Sequence, residues 1–260
     1  MTRRALIGHT GFVGSNLAAA GSYSDVYNSK SIEDIRGQRF DEIVCAGVSA
    51  VKWLANREPE KDWAGIDRLL DCLRTVEADR FVLISTIDVY PDPSQPLDED
   101  ADLAGLENHA YGRHRLAIED FVRERFTNHS IVRLPALFGP GLRKNALFDL
   151  LNDNNTSAIN PAGVFQWYPV ARLASDLDEV RRGGLSLVNL FPEPVAMTDI
   201  IEREFPDVPV GAATMPAPCY DLRTRHAERF GGSNGYLMNR EAVLDAIRAY
   251  VGSARAARSA

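Results

Sequence analysis

The side chains best suited to chemistry in this sequence stand in "AYGRHR", residues 110–115. Tyr111 and Arg115 are four positions apart, so on a helix they share one face. When a carbonyl carbon takes up hydride, its oxygen gains alkoxide character and needs a proton donor and a second hydrogen bond. A phenol can be that donor. Its ordinary pKa, near 10, is too high for easy exchange at neutral pH, and a fixed cation nearby pulls it down. Arg115 offers a permanent charge in a planar fork able to donate to two hydroxyls at once, but it does not readily release a proton. Taken alone, the two residues also fit a plain helix face on which Arg115 pairs with Glu119, a further four positions on.

A second stretch suits a phosphate. In "GHTGFVGSN", residues 8–16, Gly8, Gly11 and Gly14 follow the apolar run "RALIG" and open a helical pattern. At a strand-to-helix junction such glycines supply a tight turn, close backbone approach to a pyrophosphate and close helix–sheet contact. The helix N-terminus adds free N–H groups and partial positive charge. Thr10, Phe12 and Val13 lie in the same turn. The tip of the second strand, which meets the adenosine ribose, reads Asn28, Ser29, Lys30. A carboxylate there favours NAD by binding the 2′-hydroxyl and repelling a 2′-phosphate. None stands at this tip, since Asp25 lies at the strand's start. Ser29 and Lys30 suit a phosphate, which favours NADP with NAD as the alternative; a solvated loop lysine is the plainer reading.

Positioning these groups requires a scaffold. Apolar runs at 4–8, 24–28, 41–47, 80–85 and 129–134 read as strands, and 12–21, 60–77 and 111–126 as helices, with a short helical turn near 31–36. In 60–77, Trp63, Ile66, Leu69, Leu70, Leu73 and Val76 fall on one face. Such alternation predicts an α/β fold, a doubly wound parallel sheet of Rossmann type with ligands at the strands' carboxyl ends. After Pro135, "PALFGPGLRKN" and "NDNNTSAINPAG" read as loops, 185–190 as a strand, 196–205 and 239–251 as helices, and "SARAARSA" as a frayed tail. The expected division is a dinucleotide-binding core over 1–140 and a small substrate-binding region over 141–260, with strand 185–190 returning to the main sheet.

Composition narrows the partners. The 260 residues carry a net charge of −7 without any basic stripe, which argues against nucleic acid. Three separated cysteines make neither a disulfide framework nor a zinc pattern, so no metal is expected and a reducing cytoplasm fits. The start loosely imitates a signal peptide, but Gly8, His9, Thr10, Gly11 and Gly14 interrupt its apolar run, and strand-turn-helix is the favoured reading. No apolar run of about 20 residues would span a membrane.

Together the glycine loop, "FVLISTIDVY" (81–90), "AYGRHR" and "IVRLPALFGPG" (131–141) resemble the extended short-chain dehydrogenase/reductase family, the NAD(P)-dependent epimerases, dehydratases and reductases acting mainly on nucleotide sugars. The resemblance covers 4–141 well and the remainder loosely. It implies that Tyr111 gives or takes the proton at the reacting oxygen and that Thr86, three residues before Val89, hydrogen-bonds the same oxygen. It places Arg115 where a lysine ordinarily holds the nicotinamide ribose. It also implies that Ala46, Gly47 and Pro135 join the cofactor site, and it suggests a homodimer packed through helices 60–77 and 111–126.

Departures from the family narrow the reaction. Dehydratases carry Thr-Asp-Glu where this chain has Thr86, Ile87 and Asp88, so dehydration is demoted and Asp88 is left as a shorter base or a turn cap. Phe165 and Gln166 stand near where an arginine often clamps the substrate diphosphate. Trp167 and Tyr168 read as sugar-stacking or core residues, and Arg143, Lys144, Arg172, Arg223 and Arg225 as available to an anion. "YDLRTRHAERFGG" (220–232) reads as a capped surface helix, with substrate contact through His226 as the alternative. The expectation is an oxidoreductase interconverting a keto and a hydroxyl group on a sugar, in nucleotide-linked form. The alternatives are an NAD-dependent epimerase working through a transient ketone and a non-enzymatic NAD(P)-binding regulator.

Overall fold

The computed structural model describes residues 2–259. Strands and helices alternate as β1 (Arg4–Ile7), α1 (Phe12–Ala20), β2 (Asp25–Tyr27), β3 (Arg39–Cys45), α2 (Lys52–Arg57), α3 (Pro59–Leu73), β4 (Glu77–Thr86), α4 (Ala110–Arg125) and β5 (His129–Leu134). There follow β6 (Ala136–Phe138), α5 (Ala146–Asn152), β7 (Val164–Phe165), β8 (Trp167–Pro169), α6 (Leu173–Gly183), β9 (Leu187–Asn189), β10 (Val195–Ala196), α7 (Met197–Glu204) and α8 (Arg240–Ser259).

The main sheet has the order β2-β1-β3-β4-β5-β9, and β1 to β5 pair in parallel. The chain leaves β1 towards β2 and then crosses to β3 on the other side. The topological switch, where ligands of doubly wound sheets bind, therefore lies between β1 and β3. Ile7, Cys45, Leu83 and Ile131 stand side by side across four strands. Ile66, Leu69 and Leu73 of α3 and Ile118 and Val122 of α4 share a core cluster with them. On the opposite pleat Leu6, Val44, Val82 and Val132 are fully buried too. Burial of both faces is why these strands read as continuous apolar runs.

The chain sorts into two compact units. One holds the residues up to Pro91, Ala101–Leu134 and Ala174–Val188; the other holds Asp92–Asp100, Pro135–Leu173 and the chain from Asn189 on. The chain passes from the first unit to the second at Asp92, again at Pro135 and again at Asn189. Leu134 is the last residue paired in β5, and a proline offers no N–H to continue the ladder. Strand β9 lies beside β5 at the edge of the main sheet.

The second unit is built round Phe138, Leu147, Trp167, Met197, Ile200, Val243 and Ile247. Trp167 and Tyr168 belong to the core, at 2% and 0% exposure. Helix α8 takes up the tail expected to fray. Alanine and arginine favour helix, Arg255 lies over the Phe205 ring and donates to the Glu204 carbonyl, and Arg258 reaches Leu151 and Asn152. The segment 220–232 is no helix beyond a 3-10 turn at Ala227–Phe230. Buried Glu99 accepts from the Asn189 and Arg225 amides and the Thr224 hydroxyl, tying this segment down outside a helix.

Candidate active site at the carboxyl end of the main sheet

At the end of β1 the chain turns through Gly8, whose φ of +89° is open to glycine and strained for other residues. A Cβ on Gly8 would lie 2.4 Å from the Ala46 carbonyl oxygen, and one on Gly14 would lie 2.0 Å from the Gly8 oxygen. The turn is thus packed against the end of β3 at the switch point. Ala46 and Gly47 follow β3 directly, and Gly47 is exposed. Gly11 is the N-cap of α1, and no side chain caps that helix. Its leading N–H groups are therefore available to an anion, and with exposed Thr10 and Gly11 and half-buried Phe12 and Val13 the turn fits a pyrophosphate. Gly8→Ala is expected to cost about 1–3 kcal/mol through backbone strain alone, with the Ala46 clash added, read as a lower thermal midpoint together with lost nucleotide binding.

The Gly8 amide and the His9 ring both bond the Tyr27 carbonyl, which ties this turn to the tip of β2. At the tip the Asn28 side chain accepts from the Lys30 amide, and Ser29 and Lys30 are exposed. Pro135 is buried and is the first residue of the 135–173 segment of the second unit.

Thr86 closes β4. Its hydroxyl accepts from the Asp88 amide and donates to Asp88 Oδ2 at 3.3 Å. Tyr111 lies in the first turn of α4, whose N-cap is the His109 ring, accepting from Gly112 N. A Cβ at Gly112 would be 2.3 Å from the Asp88 carbonyl oxygen, and Asn108 donates to the Asp88 and Val89 carbonyls. This close docking brings Tyr111 beside Thr86, whose side chain lowers the pKa of the phenol. Asn56 of α2 accepts from the Tyr111 amide.

Arg115 lies over the Tyr111 ring, its guanidinium carbon 4.1 Å from the centroid. Its fork is turned to Asp62 of α3, with Nη1 2.5 Å from Oδ2 and Nη2 3.1 Å from Oδ1, and Nη2 also meets the Ser49 carbonyl. The carboxylate that this fork meets is Asp62 of α3, not Glu119. Glu119 is fully buried and taken by Arg133, Arg123 and Ser85, with Arg133 passing on to the Tyr90 hydroxyl. That network fixes the rotation of α4 against β4 and β5, and so the aim of Tyr111.

Burial raises the Tyr111 pKa above its ordinary value. Arg115 and the Thr86 side chain pull it down, and the Asp88 charge pushes it up. The cation therefore acts in the expected direction, but desolvation outweighs it. For Asp62, burial works towards a higher pKa, yet the hydrogen bonds from Arg115 and His114 prevail and hold the carboxyl below the usual range.

Sequence reasoning missed Asp62, Asn56 and Lys52, which pairs with Asp88 at 2.6 Å. The available signal was position, because residues following the strand at a switch point line the ligand crevice. In the second unit Gln166 is 1% exposed and bonded to Pro192 and Leu222 backbone, so it is a strut. Arg223 pairs with Asp221 and Arg225 with Asp100, and Arg172 donates to the Phe230 carbonyl. Among the described residues no cluster of His, Cys, Asp and Glu could hold a metal, and no helix is long and apolar enough to cross a membrane.

A doubly wound sheet with a glycine turn at its switch point and a Tyr–Thr pair nearby defines a dinucleotide-binding protein of the short-chain dehydrogenase/reductase class. The model of the NAD dependent epimerase/dehydratase family matches residues 21–155, just over half of the chain and including Thr86, Tyr111 and Arg115. The chain belongs to that family and is an NAD-dependent enzyme by type. Solved structures share the fold at low identity. An NAD-dependent NDP-hexosamine 5,6-dehydratase of tunicamycin biosynthesis is 16% identical, with TM-score 0.73 and 97% of each chain covered. A dTDP-4-dehydrorhamnose reductase from Clostridium acetobutylicum is 15% identical, with TM-score 0.73 and 97% of this chain and 99% of that one covered. A UDP-glucose 4-epimerase from Thermotoga maritima, solved with UDP-glucose, is 14% identical, with TM-score 0.72 and 98% and 99% covered. A search of curated proteins gives no match.

Proposed function

We propose that this protein is an NAD(P)-dependent oxidoreductase interconverting a keto and a hydroxyl group on a nucleotide-linked sugar. The observation that carries the reading is the placement of buried Tyr111 beside half-buried Thr86, where β4 ends and α4 begins. The nicotinamide supplies or accepts hydride when bound. Tyr111 gives the proton to the developing alkoxide or takes it back, and Thr86 donates the second hydrogen bond to that oxygen. Arg115, held by Asp62, fixes the phenol ring from one face and favours its ionised form; Gly8, Gly11 and the start of α1 receive the pyrophosphate. A sugar-nucleotide substrate is inferred from the reductase and epimerase of the same fold. Dehydration is disfavoured because Ile87, where dehydratases carry an acid, is buried and apolar.

The exposed Lys30 at the β2 tip favours NADP. Calorimetric titration of the purified protein with NADPH and NADH tests the cofactor reading, and absence of binding by both would overturn it. Lys30→Ala is expected to weaken NADPH binding about three- to tenfold and leave NADH unchanged, the effect of one partly solvated charge pair. Tyr111 is only 6% exposed, and that favours a second reading, an NAD-dependent epimerase that hands the same proton back. Nucleotide retained through purification and freed by denaturation would mark the epimerase; exchangeable nucleotide would mark the reductase.

A further inference from the structure

A reductase uses one proton per turnover, and Tyr111 is nearly closed to water at 6% exposure. Its neighbour cannot refill it. Arg115 stays charged and its fork is engaged by Asp62 and the Ser49 carbonyl. His109, whose ring centroid is 6.3 Å from that of Tyr111, is no donor either. Burial, followed by the Lys52 charge, lowers its pKa, and Nδ1 already accepts from Gly112.

On the other side a hydrogen-bonded row leads outward. Thr86 stands beside the phenol and acts on its pKa, its hydroxyl reaches Asp88 Oδ2 at 3.3 Å, and Asp88 Oδ1 is 2.6 Å from Lys52 Nζ. Side-chain exposure rises from 16% at Asp88 to 40% at Lys52. The four groups come from α4, the end of β4, the turn after it and α2. Every one of them can give and take a proton. We propose that Thr86, Asp88 and Lys52 form a proton relay connecting Tyr111 to solvent, with Lys52 supplying the exchangeable ammonium that Arg115 cannot.

In the reducing direction, hydride from a reduced nicotinamide dinucleotide adds to the carbonyl carbon while the Tyr111 proton goes to the oxygen. The phenolate recovers a proton from Thr86, Thr86 from Asp88, Asp88 from the Lys52 ammonium, and the Lys52 amine from water. Oxidation runs the row backwards, and each turnover returns every member to its starting protonation. The charged groups acting on Tyr111 are Arg115 on its own helix and Asp88 beyond β4; behind them stand Asp62 on α3, paired with Arg115, and Lys52 on α2, paired with Asp88.

The relay rests on the reading of Tyr111 as proton donor, but its test needs neither cofactor nor substrate. Protein labelled with 13C at the tyrosine ζ carbon, in equal parts of H2O and D2O, reports hydroxyl exchange through the isotope shift, with Tyr111→Phe assigning the signal. Tyr111 exchange is expected to slow by about tenfold or more in Lys52→Met and Asp88→Asn, while amide exchange along α4 stays unchanged. Lys52→Arg, which keeps the ion pair but not a releasable proton, is expected to slow it as well. Unchanged hydroxyl exchange in the Lys52 variants would overturn the relay, and so would slowing seen only together with altered α4 amide exchange. The nucleotide titration reports separately on the oxidoreductase reading.

Discussion

Tyr111→Phe is expected to lower kcat on a nucleotide-sugar substrate by about a thousandfold while leaving the NADPH Kd within about twofold. Phenylalanine keeps the ring beneath the Arg115 guanidinium and fills the same buried space, so only the hydroxyl is lost. The phenol is held above its ordinary value by burial, with the pull of Arg115 and Thr86 offsetting part of the shift. It is therefore protonated throughout the neutral range. Reduction, which needs the phenol, gains no pH dependence from Tyr111 there. Oxidation needs the phenolate and should accelerate about tenfold per pH unit until another step limits it. Initial rates in both directions from pH 6 to 9 check the sign. A native-like kcat in Tyr111→Phe would remove the tyrosine from the reaction.

Arg115→Ala should destabilise the fold by about 3 kcal/mol, because it leaves the Asp62 carboxylate, whose side chain is 8% exposed, with the His114 ring alone as its side-chain partner. In a chain of this size that corresponds to roughly 10 °C in Tm. Asp62 is held below the usual carboxylate range, so the pair's contribution is present above the ordinary aspartate pKa of about 4 and fades as pH falls through the folded value. The stability gap between native protein and Arg115→Ala should accordingly narrow below about pH 4, as urea unfolding at several pH values would show. Arg115→Lys, which restores the family's usual residue, should still lose about 1–2 kcal/mol, since one ammonium cannot span both Asp62 oxygens and the Ser49 carbonyl. An equally stable Arg115→Ala protein would show that the buried pair does not anchor α4.

What the sequence made legible was local. The glycine turn and the five parallel strands follow from apolar period and turn chemistry within a few residues, whereas Thr86 as partner of Tyr111 comes from the family resemblance. The partner of Arg115 was not legible. Helical spacing points to Glu119, but that carboxylate is claimed by Arg133 from β5, and the vacancy is filled from α3, 53 residues away. Lys52 was hidden in the same way. Six residues of helix before Pro59 are too short for a periodic pattern, and only the crossing of α2 near the end of β4 brings Lys52 to Asp88. The segment 220–232 departed from its helical reading because Glu99, more than a hundred residues earlier, satisfies its backbone. Long-range polar partners decided each case, and no local pattern encodes them.

The central claim is hydride transfer at the Tyr111–Thr86 site. NADPH carrying deuterium at both C4 positions, incubated with native protein and a panel of UDP- and dTDP-linked 4-keto sugars, tests it by mass spectrometry of the recovered sugars. Transfer of one deuterium to a sugar by native protein, and none by Tyr111→Phe, is the predicted result. NADPH that binds but leaves no deuterium in any sugar would contradict the account and favour a nucleotide-binding regulator.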